Sequence, residues 1–139
     1  MVQKVHEVMT DAPVTVAPQA TLTEAARLMR EHDIGDVLVT EDSQLRGIVT
    51  DRDIVVRAVA DARDPTATTV GEVCSRDLIE VKPNDDAERV LLLMRARSVR
   101  RIPVIEEGRV VGILSLGDMA VERDPQSVLA DISTSDPND

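Results

Sequence analysis

An internal repeat constrains this chain more than any other feature: residue n and residue n+65 match without a gap between about residue 5 and residue 54. Pro18 falls on Pro83, Met29 on Met94, Arg30 on Arg95, Val39 on Val104, Gly47 on Gly112 and Asp53 on Asp118. Val5, Glu7, Val8, Val16 and Glu41 also meet identical residues, and Val14/Ile79, Ile34/Val99, Ile48/Ile113, Thr50/Ser115 and Ile54/Met119 are conservative pairs. Chance similarity would not preserve the proline, glycine and aspartate punctuation at one offset. A solenoid needs at least three stacked repeats. Two copies instead suggest a closed, pseudo-two-fold pair, each burying the face that the other exposes.

Each copy reads as one βαββα unit, which makes the fold class α/β (α+β). In the first, Val14-Thr15-Val16 is an extended segment ending before Pro18. Thr21-Leu22-Thr23-Glu24 is a capping box that opens a helix. Leu22, Ala25, Ala26 and Met29 then recur at helical spacing, and the helix is expected to end near Asp33, before Gly35. Val37-Leu38-Val39 is a strand, Glu41 to Gln44 a turn, and Arg46 to Val49 the next strand. Ile54, Val55, Ala58 and Val59 are spaced as a second amphipathic helix.

In the second copy Asp86 caps a helix whose apolar face is Val90, Leu91, Leu93 and Met94; Ile102 to Ile105 and Val110 to Leu114 are strands around a turn at Glu106-Glu107-Gly108. The expected organisation is residues 5–60 for copy one, a linker over 61–69, residues 70–122 for copy two, and an acidic tail over 123–139. A short helix is expected within that tail at Gln126 to Ile132, with Ser133 to Asp139 frayed.

Composition narrows the function classes. The chain of 139 residues contains no aromatic residue, so its core must consist of Val, Ile, Leu, Ala and Met. A ligand base would sit between aliphatic side chains, and the aromatic platforms that single-stranded nucleic acids stack on are missing. A net charge of −10 opposes a nucleic-acid or anionic-membrane partner. Cys74 is a single cysteine, no apolar stretch is long enough to span a membrane, and the N-terminal residues carry no apolar run, so the expected location is a reducing cytoplasm.

The central constellation is Gly-x-x-Thr/Ser-x-x-Asp: Gly47, Thr50 and Asp53 in copy one, Gly112, Ser115 and Asp118 in copy two. A hydroxyl followed three residues later by a carboxylate, at a strand-to-helix turn, caps the helix whether or not a ligand exists. With GIVTDRDI, GILSLGDM, the preceding RRIPVI and the βαββα order, the chain resembles a stand-alone pair of CBS domains, the module named after cystathionine β-synthase. The resemblance spans about residues 5 to 122. MREHDIG, TDRDIV and DPTATTVGEV are further similar to single-pair proteins of the hypoxic-response type.

The resemblance implies a regulatory module with clefts between the copies that take an adenosine-containing ligand such as AMP, ADP, ATP or S-adenosylmethionine. It also implies no required cofactor, a homodimer through CBS–CBS packing, and an unidentified regulated protein partner. It implies that Asp53 and Asp118 accept hydrogen bonds from ribose hydroxyls, with Thr50 and Ser115 beside them. Backbone of the first extended segments, around Thr15, Val16 and Ile79, would meet an adenine edge, although the same residues are equally good core strand.

Arg95, Arg97, Arg100 and Arg101 form the dense basic cluster of an acidic chain. Arg95 and Arg97 read as a solvated helix face. Arg100 and Arg101 precede Ile102-Pro103, where related modules place a basic residue against a phosphate, and a guanidinium suits that task. The aligned residues of copy one are Gly35 and Asp36, before Val37. If each cleft combines the acid of one copy with the strand-entry residues of the other, Thr50 and Asp53 meet Arg100 and Arg101, whereas Ser115 and Asp118 meet an Asp36 that repels phosphate. The expectation is one competent nucleotide site with Asp53 and Arg101 at its core.

His6, His32 and Cys74 have no metal-ligand spacing, and Met29 and Met94 are core by periodicity. No nucleophile–base set, phosphate loop or metal cluster marks an enzyme. A ligand-free dimerisation or protein-interaction module is the alternative to ligand sensing.

Overall fold

In a computed structural model, which describes residues 3–11 and 13–117, the 65-residue offset reappears element by element. The elements are α1 (Val5–Val8), β1 (Thr10–Asp11), β2 (Thr15–Val16), α2 (Leu22–His32), β3 (Asp36–Glu41), β4 (Gln44–Thr50), α3 (Asp51–Ile54) running on as a π-helical turn (Val55–Val59), α4 (Val70–Val73), α5 (Ala87–Arg97), β5 (Arg101–Glu106) and β6 (Arg109–Ser115). The bounds of α4, α5, β5 and β6 are those of α1, α2, β3 and β4 shifted by 65. Asp118, the helix expected around it, the expected helix at 126–132 and the rest of the tail lie outside the described residues.

Local chemistry explains the boundaries. At the start of α2 the Glu24 amide donates to Thr21 Oγ1 and the Thr21 amide to Glu24 Oε2, each at 3.2 Å, so two donors that a helix start leaves orphaned are satisfied together. Leu22, Ala25 and Met29 are buried along one face, as are Ala87, Val90 and Met94 of α5. Asp33 (φ 56°) ends α2 and Ser98 (φ 55°) ends α5, both left-handed. The two hairpins turn through paired positive-φ residues, Asp42 and Ser43 in one and Glu107 and Gly108 in the other, the geometry that matches the twist of the flanking strands. Both hairpins shift register at the same place, between Val39 and Thr40 and between Val104 and Ile105.

The compact units do not coincide with the sequence copies. Of the described residues, one unit takes Val14–Leu78; the other takes those up to Pro13 together with Ile79 to Gly117. Each is therefore built from one copy's βαββ core and the other copy's N-terminal segment. In the first unit β2 pairs in parallel with β3, β3 pairs antiparallel with β4, and Ser75 bridges Ile48 of β4. In the second unit Val81 bridges Val104 of β5 in parallel, β5 pairs with β6, and β1 pairs antiparallel with β6.

The exchanged segments are anchored by their valines. Val70 and Val73 of α4 are buried with Leu22, Ala25, Val37, Val39 and Val49, and Val5 of α1 with Val81, Val90, Met94, Ile102 and Leu114. Burying one such side chain contributes about 1.5–3 kcal/mol.

One expectation changes. The second amphipathic helix is α for one turn and π for the next, and of its valines Val55, Val56 and Val59 stay 57%, 50% and 63% exposed, while Ala58 is buried. The segment 61–69 between the copies is hydrogen-bonded to the start of α2: the Leu22 amide donates to the Thr68 carbonyl (3.0 Å), the Thr23 amide to the Pro65 carbonyl (3.1 Å), and Thr68 is buried. Among the described residues no helix is long and apolar enough to cross a membrane.

Candidate functional site

The end of β4 and the start of α3 position the first constellation. Thr50 is the N-cap of α3 in extended conformation, with φ −110° and ψ 163°. Its Oγ1 accepts from the Asp53 amide and Asp53 Oδ2 accepts from the Thr50 amide, both at 3.0 Å. The capping reading of this motif is therefore realised in full. It leaves Asp53 Oδ1, whose described ionic neighbour is Arg57 Nε at 3.9 Å. The Asp53 side chain is only 14% exposed, so this carboxylate is held in one orientation by its cap and largely screened from water.

Asp36 opens β3 directly across from Thr50, and the Asp51 amide donates to the Gly35 carbonyl at 2.9 Å. The second unit repeats this: Arg101 opens β5 across from Ser115, and the Leu116 amide donates to the Arg100 carbonyl at 2.7 Å. Each unit thus brings its own strand-entry residues to its own hydroxyl, Asp36 to Thr50 and Arg101 to Ser115. The expected partnership of Asp53 with Arg101 joins residues of different units and stands as a proposal. Asp118 lies outside the described residues.

The remaining candidates separate by burial. Val37, Ile102 and Pro103 are closed in the cores, so any contact with a ligand would be through their backbone. Thr15 and Arg100 are exposed; Val16, Asp36, Ile79, Arg101 and Ser115 are half-buried. The sheet takes some of the backbone expected at an adenine edge. The Val14 carbonyl accepts from the Leu38 amide at 3.1 Å, and in the other unit the Val81 amide donates to Pro103 at 3.2 Å.

Sequence reasoning missed two residues' roles. The glycine of the motif serves close packing: a Cβ on Gly47 would meet the Ser75 carbonyl oxygen and the Cys74 Sγ, each at 2.8 Å. Gly112 is in the same position against the Thr10 carbonyl oxygen (2.9 Å) and Met9 Sδ (2.7 Å). The second residue is Arg57, one helical turn beyond Asp53. Besides its Asp53 contact, its Nη1 donates to the Val73 carbonyl at 3.0 Å and reaches the Cys74 carbonyl at 3.5 Å. Its i+4 spacing from Asp53 was the available signal.

The helix starts of the exchanged segments are electrostatically braced. Glu72 of α4 accepts from the Thr69 amide (2.7 Å) and hydroxyl (3.1 Å) and pairs with Arg63 (2.7 Å); these contacts, the Thr69 amide first, hold its carboxyl below the usual carboxylate range. Lys4 Nζ bonds Asp86 Oδ1 at 2.8 Å, and this hydrogen bond and charge raise its pKa. Among the described residues no three His, Cys, Asp or Glu side chains come together to hold a metal.

The CBS-domain family model matches residues 5–59 and 70–123. The chain belongs to the CBS-domain family and carries the domain twice. It is 41% identical over 119 residues to the CBS domain-containing protein YhcV of Bacillus subtilis, covering 86% of this chain and 84% of the relative. It is 40% identical over 116 residues to Hypoxic response protein 1 of Mycobacterium tuberculosis, covering 83% and 81%. A crystal structure of Hypoxic Response Protein I with two coordinated zinc ions superposes with a TM-score of 0.78 at 38% identity, over 86% of this chain and 98% of that one. The CBS pair of MJ0100, crystallised with 5′-methylthioadenosine and S-adenosylmethionine, shares the fold with a TM-score of 0.80 at 23% identity, over 91% and 100% of the two chains. The fold and family point to a regulatory module.

Proposed function

We propose that the chain is a cytoplasmic, non-catalytic sensor that binds an adenosine-containing ligand through Asp53 and Thr50. The observation that carries this reading is the Asp53 carboxylate, one oxygen of which is fixed by the Thr50 amide at 3.0 Å while the other, among the described residues, makes a long ionic contact with Arg57 at 3.9 Å. A nearly buried, oriented carboxylate with acceptor capacity to spare suits a pair of vicinal hydroxyls. MJ0100 supports the reading by showing that a protein of this fold takes adenosine compounds. Arg101 would supply a phosphate contact if the ligand is a nucleotide, and Asp36 disfavours phosphate beside Thr50.

Ligand binding would act by shifting a population between arrangements, limited by the ligand's differential affinity for them. A dye-based melt with AMP, ADP, ATP and S-adenosylmethionine tests the proposal. A ligand at one hundred times its Kd stabilises by about 2.7 kcal/mol, well within reach of a melt.

A second reading rests on Val55, Val56 and Val59, three exposed valines on one short stretch. They favour a homodimer or protein-interaction module that needs no ligand. A stable dimer with no melting shift for any nucleotide would select it.

A further inference from the structure

Arg57 touches both the candidate ligand carboxylate and the exchanged segment of the first unit. Its Nε lies 3.9 Å from Asp53 Oδ1, and its Nη1 donates to the Val73 carbonyl and reaches that of Cys74. Those carbonyls belong to the end of α4, where a helix leaves acceptors without intrahelical donors and where a cation is favourable. Beyond Cys74 the chain returns to the site. Ser75 and Ile48 exchange both backbone hydrogen bonds, at 2.9 and 3.0 Å, and Ile48 lies on β4 two residues before Thr50. Thr50, Asp53, Arg57, Cys74, Ser75 and Ile48 therefore close a circuit. Arg57 sits in the π-helical turn, a local widening often found at functional sites. At the 65-residue offset it falls on Glu122.

We infer that Arg57 is a positioning residue that relays occupancy of Asp53 to the exchanged segment 70–75, making that segment the responsive element of the first unit. The inference rests on Asp53 being a ligand carboxylate. Without ligand the guanidinium is shared between the carboxylate and the α4 carbonyls. Hydroxyls donating to Oδ1 satisfy that oxygen and release the guanidinium to the carbonyls, which tightens the end of α4 and the Ser75–Ile48 bridge.

Hydrogen exchange of the full chain with and without saturating AMP or S-adenosylmethionine tests this, read at the amides of Cys74 and Ser75, which donate to Val70 and Ile48. The expected result for the wild type is exchange slowed at least about threefold on binding, a change in local opening that exchange resolves. Arg57→Gln should still bind the ligand but show no slowing, and Arg57→Lys should restore part of it. Equal slowing in Arg57→Gln, or binding by the wild type with no change at these amides, overturns the relay and leaves the proposed ligand intact. Loss of binding in both variants also overturns it, because Arg57 would then belong to the binding machinery. A wild-type chain that binds neither compound fails the proposed function itself, and the relay falls with it.

Discussion

Gly47 lies so close to Cys74 that a Cβ on the glycine would stand 2.8 Å from the Cys74 Sγ and 2.8 Å from the next residue's carbonyl oxygen. The glycine of the first copy is therefore read by the second copy's N-terminal segment, and Gly112 is read by the first copy's Met9 and Thr10 in return. At the 65-residue offset Met9 falls on Cys74 and Thr10 on Ser75, so the exchange is reciprocal.

Gly47→Ala should destabilise the chain by about 1–3 kcal/mol, the usual cost of forcing a methyl group into a packed site. A thermal melt should show a loss of several degrees. Gly47→Ala combined with Cys74→Ala should recover only part of it, because the Ser75 carbonyl still blocks the methyl group. Full recovery would place the constraint on the thiol alone.

Lys4 and Asp86 occupy, in the second unit, the bridge positions that Thr69 and Thr21 occupy in the first. The pair is exposed, so screening limits it. Lys4→Ala should lower the melting temperature slightly, and the difference from wild type should shrink as salt rises. The double reversal Lys4→Asp with Asp86→Lys should recover stability better than either single reversal.

Glu72 gives a pH dependence of known sign. Its folded-state pKa lies below that of an ordinary glutamate, so its contribution is present above the ordinary value and is lost as pH falls through the lowered pKa. Glu72→Gln should be less stable than wild type near neutral pH, and the two should converge in acid. Paired melts across that range measure it; a gap that persists at the acid end would contradict the assignment.

Val55 and Val59 test the dimer reading. Replacing both with Asp should leave the fold intact, since neither is buried, and should convert a wild-type dimer to monomer by light scattering. A variant that stays dimeric would show that the interface lies elsewhere.

Much of this architecture was legible because local signals and the repeat agreed. Thr21 and Glu24 cap α2, Leu22, Ala25 and Met29 face the core, and Thr50 with Asp53 forms the expected capping box. The exchange of segments was not legible. α1 and α4 are single turns with two valines each, too short to show a period, and their packing partners are set by tertiary contacts tens of residues away. Gly47 was read for its place in a ligand motif, whereas its lack of a Cβ answers to Ser75. The π-helical turn was hidden because an apolar spacing that suits an α-helix does not reveal an inserted residue.

The claim that Asp53 holds the ligand is tested most directly by melting the wild type, Asp53→Ala and Asp118→Ala with the same panel of AMP, ADP, ATP and S-adenosylmethionine. The expected result is a concentration-dependent stabilisation of the wild type by at least one compound, lost in Asp53→Ala and kept in Asp118→Ala. No shift in the wild type, or a shift that survives in Asp53→Ala and disappears in Asp118→Ala, would contradict it.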